Sequence, residues 1–252
     1  MPAPVALQLY TLRESLAKNF EAGVRKVAEL GYVGVETAGF PGTTPAAAAK
    51  LFKELGLEVC SAHVGLPVGP KKQEVLDTMN TLGSKRIVTG FGPDQYKTTD
   101  LIKASCAKFN EAAAVARENG MTLGIHNHWW EFQQVEGRHV YKVMLENLDP
   151  GVFFEVDTYW VQTGGCDPAA VVKELGKRAP LLHIKDGPCV KELPMTAVGE
   201  GKVNFPAVVK AAGANAQWMI VELDRCATDM MDAVVKSYGY LTKNGLAHGK
   251  KG

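Results

Sequence analysis

Short apolar runs alternate with longer amphipathic ones along the whole chain. Apolar runs of this length that do not alternate with polar residues are typical of strands buried on both faces. They predict eight strands, over Val5–Leu9, Val33–Thr37, Glu58–His63, Arg86–Thr89, Thr122–Asn127, Val152–Asp157, Leu181–Lys185 and Trp218–Leu223. The stretches between them predict helices, among them Leu16–Leu30, Thr44–Leu55, Thr99–Asn119, Pro168–Leu175 and about Asp229–Asn244. "TTPAAAAKLFKELG" marks its own boundaries: Thr44 is a cap, Pro45 sits in the first turn and Gly56 ends the helix.

Eight strand–helix units in 252 residues predict an α/β fold, a (β/α)8 TIM barrel, as a single domain over residues 1–252. An open doubly wound sheet would normally follow its first strand with a glycine-rich phosphate turn. Here the first strand runs into "YTLRES", which has no glycine. No linker, low-complexity tract or charge block divides the chain. "ELGY" and "ELGL" recur after the first two helices as turn chemistry between helix and strand.

Barrel enzymes carry their chemistry at the C-terminal ends of the strands, and polar residues collect there. Strand two ends near Glu36, strand three ends at His63, and strand five runs out through His126, His128 and Glu131. Strand six ends in Glu155 and Asp157, strand seven in His183, Lys185 and Asp186, and strand eight in Glu222 and Asp224. Four of the chain's six histidines lie at these ends. Side chains alternate along a strand, so His126 shares a face with His128, Glu155 with Asp157, His183 with Lys185 and Glu222 with Asp224. Such Asp, Glu and His donors suit Mn²⁺, Zn²⁺, Co²⁺ or Mg²⁺. One such ion can hold two neighbouring sugar oxygens and stabilise an enediolate while carboxylates move the proton. Taken singly, Glu155 reads as an ion-pair partner of Lys185, and Trp129 and Trp130 as packing.

Composition narrows the partners. A net charge of +1 argues against a nucleic-acid binder that works by neutralising phosphates. No apolar stretch approaches the roughly 20 residues of a membrane helix. The five cysteines are scattered, odd in number and without a CxxC pair, so reduced thiols and a cytoplasmic location are expected. The N-terminus shows no basic segment followed by a long apolar one, although a leader removed beforehand would leave the same sequence.

With these residues in view, the chain resembles the sugar phosphate isomerase/epimerase family of xylose isomerase-like barrels. Relatives include tagatose epimerases, inosose dehydratases and endonuclease IV. The matching motifs are "HNHWWEF", "FFEVDTYWVQTGGCDP", "LLHIKD", "VGEGKVNFPAV", "VELD" and "KSYGYL". The resemblance spans essentially Val5 to Leu246. It implies one divalent ion held by Glu, Asp, His and Glu from strands five to eight, here Glu131, Asp157, His183 and Glu222. Strand five departs from the pattern, with His126 where epimerases carry a glutamate. Glu131 is therefore expected to reach back as fourth ligand, with His128 or His126 as the substitute.

The resemblance also implies that Glu131 and Glu222 act as the acid/base pair. His63, His126, His128, Trp160 and Lys185 would contact a sugar substrate. The implied function is a metal-dependent isomerase or epimerase of a sugar or keto-sugar. The alternatives are a lyase or dehydratase acting on an inosose or 3-keto sugar, and a non-catalytic carbohydrate-binding protein. Endonuclease chemistry needs more histidines, and "DTYW" places Trp160 where those enzymes have a ligand. Barrels of this kind often pair, so a homodimer is an expectation without an assigned interface. The loop "GPCVKELPMTAVGEGKV", Gly187–Val203, is expected to cover the mouth of the barrel.

Overall fold

The computed structural model describes residues 2–250, so the outermost ends of the expected 1–252 domain lie outside the described residues. Eight parallel strands close into a barrel in sequence order. They are β1 (Val5–Gln8), β2 (Gly34–Thr37), β3 (Glu58–His63), β4 (Arg86–Thr89), β5 (Thr122–His126), β6 (Phe153–Asp157), β7 (Leu181–Ile184) and β8 (Trp218–Val221). Closure comes from β1 on β8, with Val5 opposite Met219 and Leu7 opposite Val221. All eight strands fall where the apolar runs place them, with ends that agree to within two residues. A small hairpin, Gln134–Val135 with Arg138–His139, follows β5.

The first predicted helix is in fact two, Arg13–Lys18 and Phe20–Glu29. Asn19 divides them. Its backbone is extended, and its side-chain oxygen accepts the Ala22 N–H at 3.0 Å, which caps the second helix. The Pro45–Leu55 helix has the expected boundaries: the Thr44 hydroxyl accepts from Ala47, and Gly56 closes the helix at a φ of 70°.

The barrel interior has two zones. At the N-terminal end of the strands, Ala6, Cys60, Val88, Phe153, Leu181, Trp218 and Ile220 form an apolar plug separate from the core beneath the helices. Two strand glycines make room for it. A Cβ at Gly34 would lie 2.5 Å from the Trp218 ring, and one at Gly124 would lie 2.1 Å from the Phe153 ring. Above the plug the lining becomes polar. Gln8, Glu36, Ser61, Glu155 and His183 are all fully buried, which is tolerable because Gln8, Ser61 and His183 hydrogen-bond Glu36 and His63 hydrogen-bonds Glu155.

The loop after β7 is organised by Asp186. Its carboxylate accepts the N–H groups of Gly187, Gly199, Gly201 and Val203 at 2.8, 2.9, 3.0 and 3.1 Å. A Cβ at Gly201 would lie 2.1 Å from the carboxylate, which accounts for the glycine in "VGEGKV". Met195, Ala197 and Val198 are buried, so this segment packs onto the barrel. Among the described residues, no helix is long and apolar enough to cross a membrane.

Candidate metal centre

The polar side chains reach the barrel mouth through strand alternation and a few local locks. In β6, Glu155 and Asp157 both point inward. Asp157 Oδ1 accepts the Trp160 N–H at 2.9 Å, which leaves Oδ2 toward the site. Between His126 and His128, the Asn127 amide turns sideways. Its oxygen accepts the Asp157 N–H at 2.9 Å and its nitrogen donates to the Asp157 carbonyl at 3.2 Å. This side chain continues the strand pairing beyond the end of β5. The Thr158 hydroxyl similarly ties the start of the next helix to the His183 carbonyl at 3.0 Å.

Ligand atoms of His126, Asp157, His183 and Glu222 all lie within 4.8 Å of one another. This upper quartet shares His126 and His183 with a lower one made with His63 and Glu155. In the upper quartet, His183 Nδ1 is 2.8 Å from Glu222 Oε2, and His126 Nε2 is 3.8 Å from Asp157 Oδ2. His183 Nδ1, Asp157 Oδ2 and Glu222 Oε2 are buried and make no well-directed hydrogen bond, with Lys185 Nζ 3.1 and 2.7 Å from the two carboxylate oxygens. Crowded donor atoms that do not aim at one another suit a shared cation. Two carboxylates and two imidazoles are a donor set for Zn²⁺, Co²⁺ or Mn²⁺. The residues present therefore fit the divalent ion that the fold implies.

Of the four expected ligands, Asp157, His183 and Glu222 come together, and Glu131 does not join them. Glu131 is buried in the short turn Trp130–Phe132, where Oε2 accepts the His128 N–H at 2.8 Å and Oε1 has no partner. Its carboxylate brackets the turn, and His126 holds the strand-five place in the quartet. Lys185, expected on the substrate, is almost fully buried. Its Nζ lies 3.1, 2.7 and 3.0 Å from carboxylate oxygens of Asp157, Glu222 and Asp224. The expected Glu155–Lys185 pair is not formed. Glu155 sits one inward position deeper than Asp157, and its Oε2 meets His63 at 2.6 Å, His183 at 3.1 Å and His126 at 3.3 Å.

The remaining expected contacts line one side. His63 is partly open, and His128 stacks on Trp130 at 4.1 Å. Trp160 packs 4.9 Å from Trp129, with Lys185 over its ring. The indole N–H groups of Trp130 and Trp160 have no partner. Glu36, the polar residue where strand two ends, received no role from the sequence and is a fully buried carboxylate in β2. The available signal was a charged residue inside a short, otherwise uncharged strand, "GVET".

Burial and neighbours set the charges. Burial pushes Glu131 up to about 8, and Glu155 reaches about 8 from burial and the nearby Glu36. Burial lifts Asp157 to about 6 against the pull of Lys185. At Glu222, burial is outweighed by Lys185 and His183, which hold the carboxyl well below the usual range. Burial would also discharge His63, but Glu36 and Glu155 raise it to about 10. His128, buried and facing Lys185, falls to about 3.

A closed parallel barrel with a polar mouth of carboxylates and imidazoles is the architecture of a barrel enzyme. The chain belongs to the xylose isomerase-like TIM barrel family, which matches residues 24–243. A sugar phosphate isomerase/epimerase from Parabacteroides distasonis is 26% identical, with a TM-score of 0.84 over 98% of this chain and 96% of that one. The probable 3-DHS dehydratase AsbF of Bacillus anthracis shares the fold at 14% identity and a TM-score of 0.77, over 95% of this chain and 98% of that one. So does the IOLI protein, solved with a zinc atom, at 15% identity and a TM-score of 0.73 over 98% of each chain. No curated protein sequence matches the chain. The protein is an enzyme of this family.

Proposed function

We propose that the protein is a metal-dependent isomerase or epimerase of a sugar or keto-sugar that moves a proton at the carbon beside a carbonyl. The observation that carries this reading is the upper quartet, gathered from β5 to β8 at the mouth of the barrel. A divalent ion held by His126, Asp157, His183 and Glu222 would polarise a carbonyl oxygen and the neighbouring hydroxyl oxygen and so acidify the C–H beside the carbonyl. Glu222 and His126 retain slight exposure, 5% and 6%, whereas Asp157 and His183 have none. Glu222 thus faces the substrate and takes the proton as general base. Lys185 at 2.7 Å holds it ionised and aimed.

Glu131, kept neutral by burial and with Oε1 free, returns a proton as general acid. His63 and His128 contact sugar hydroxyls, and the wall of Trp129, Trp130 and Trp160 packs against the ring. Dehydration of an inosose or 3-keto sugar begins with the same proton removal. The separate neutral acid at Glu131 favours this second reading, because it can protonate a departing hydroxyl. Incubation with Mn²⁺ and candidate sugars in D₂O, read by NMR and mass spectrometry, tests both. Deuterium in an epimer or isomer supports the first reading, and loss of water from the sugar supports the second. No exchange with any ketose, inosose or 3-keto-glycoside counts against both.

A further inference from the structure

His183 lies in both quartets, and each of its nitrogens faces a different one. Nδ1 faces Glu222 in the upper quartet, and Nε2 lies 3.1 Å from Glu155 in the lower. Nε2 also meets Glu36 Oε2 at 2.6 Å, with both side chains fully buried. Glu36 has other donors: Gln8 Nε2 at 2.7 Å on the same oxygen and the Ser61 hydroxyl at 2.6 Å on the other. His63 Nε2 stands 3.3 Å away. A carboxylate so supplied is an acceptor, and two bare acceptors do not share a 2.6 Å contact, so His183 Nε2 carries the proton. With Nε2 so held, Nδ1, toward Asp157 and Glu222, is the nitrogen left to give an ion a lone pair.

We propose that Glu36 is a positioning residue that fixes the His183 tautomer and so makes the upper quartet, not the lower, the place of the ion. This rests on the metal-dependent reading above. Carboxylates that orient ligating histidines commonly matter 10- to 100-fold in metal affinity. The sequence supports the role with a strand position that is otherwise costly. Glu36 is a charged residue in the barrel interior, braced by β1, β3 and β7 and out of reach of substrate.

The test is zinc affinity by competition with a chelator, together with 15N NMR of the histidine rings in the zinc-loaded protein. The wild type is expected to coordinate through His183 Nδ1, with a hydrogen-bonded proton on Nε2. Glu36→Gln keeps the shape and removes the charge. It is expected to weaken zinc by about 10- to 100-fold and to give mixed His183 ring signals at an unchanged melting temperature. If E36Q melts early, Ser61→Ala loosens the same carboxylate and is expected to shift both readouts less, in the same direction. Undiminished zinc affinity in the folded variants, or coordination through Nε2 in the wild type, overturns the inference alone. A wild type that binds no zinc, cobalt or manganese overturns the metal centre and this inference with it.

Discussion

The lower half of the barrel interior is filled by Phe153, Leu181 and Trp218, and the upper half, on the same strands, by Asp157, Lys185 and Glu222. Each strand changes character along one inward face. β6 passes from Phe153 through Glu155 to Asp157, β7 leads from Leu181 through His183 to Lys185, and β8 leads from Trp218 through Ile220 to Glu222. Two residues of strand rise about 6.6 Å, so one or two such steps separate dry packing from the polar mouth. The lower half gains from burial of large apolar side chains. The upper half places several charges in low dielectric, where each must be paired. The plug therefore stabilises the barrel, and the mouth uses part of that stability to hold an arrangement suited to a cation and a substrate.

Substitutions on the two sides should separate these roles. The largest effect is expected at Glu222→Gln. Loss of a general base lowers kcat by about 10²–10⁴-fold, and the melting temperature falls because the buried Lys185 and His183 lose a carboxylate partner. Steady-state kinetics and thermal unfolding check this, and a folded variant with near-normal turnover would remove Glu222 from the chemistry. Trp218→Ala should act on stability alone. It opens the plug and costs about 3–5 kcal/mol in denaturant unfolding, while the molecules that stay folded keep their metal content by elemental analysis. Gly124→Ala drives a Cβ into the Phe153 ring, with an expected cost of about 1–3 kcal/mol from overpacking. A neutral result there would mean that the plug yields more readily than its packing implies.

The last effect is a pH slope at Glu131. Its carboxyl is raised from 4.5 unfolded to about 8 folded. Above the unfolded value the unfolded chain ionises first, so this group's contribution to stability falls as pH rises toward about 8. Glu131→Gln has no such group, yet its side-chain oxygen can still accept the His128 N–H. Urea unfolding at pH 5 and pH 8 should show the variant gaining on the wild type as pH rises. The opposite slope would mean that Glu131 is ionised in the folded protein.

The strands were legible because parallel strands covered on both faces give compact apolar runs, and the runs bounded by charged strand ends located the mouth as well. Strand-end position and alternation narrowed the candidates to Glu155 with Asp157, His183 with Lys185 and Glu222 with Asp224, and the family resemblance singled out Asp157, His183 and Glu222. Asn19 was harder: it lies within a continuous amphipathic pattern, and only its capping hydrogen bond reveals the break. Glu131 and His126 could not be separated in the sequence, because how a turn folds back depends on a backbone contact, here to His128, that periodicity does not encode. The partners of Glu155 and Lys185 were exchanged for a related reason. Alternation gives the face of a side chain, but depth in the barrel decides that Glu155 meets histidines and Lys185 meets strand-end carboxylates. Glu36 depends on contacts with β1, β3 and β7, which are remote in sequence.

The most direct measurement is anomalous diffraction from crystals soaked in Zn²⁺ or Mn²⁺ and recorded at the metal edge. One peak is expected at the barrel mouth, about 2.0–2.2 Å from a nitrogen of His126, a nitrogen of His183 and carboxylate oxygens of Asp157 and Glu222. A peak bonded to Glu131, or none at saturating ion, would contradict a metal centre built from that quartet.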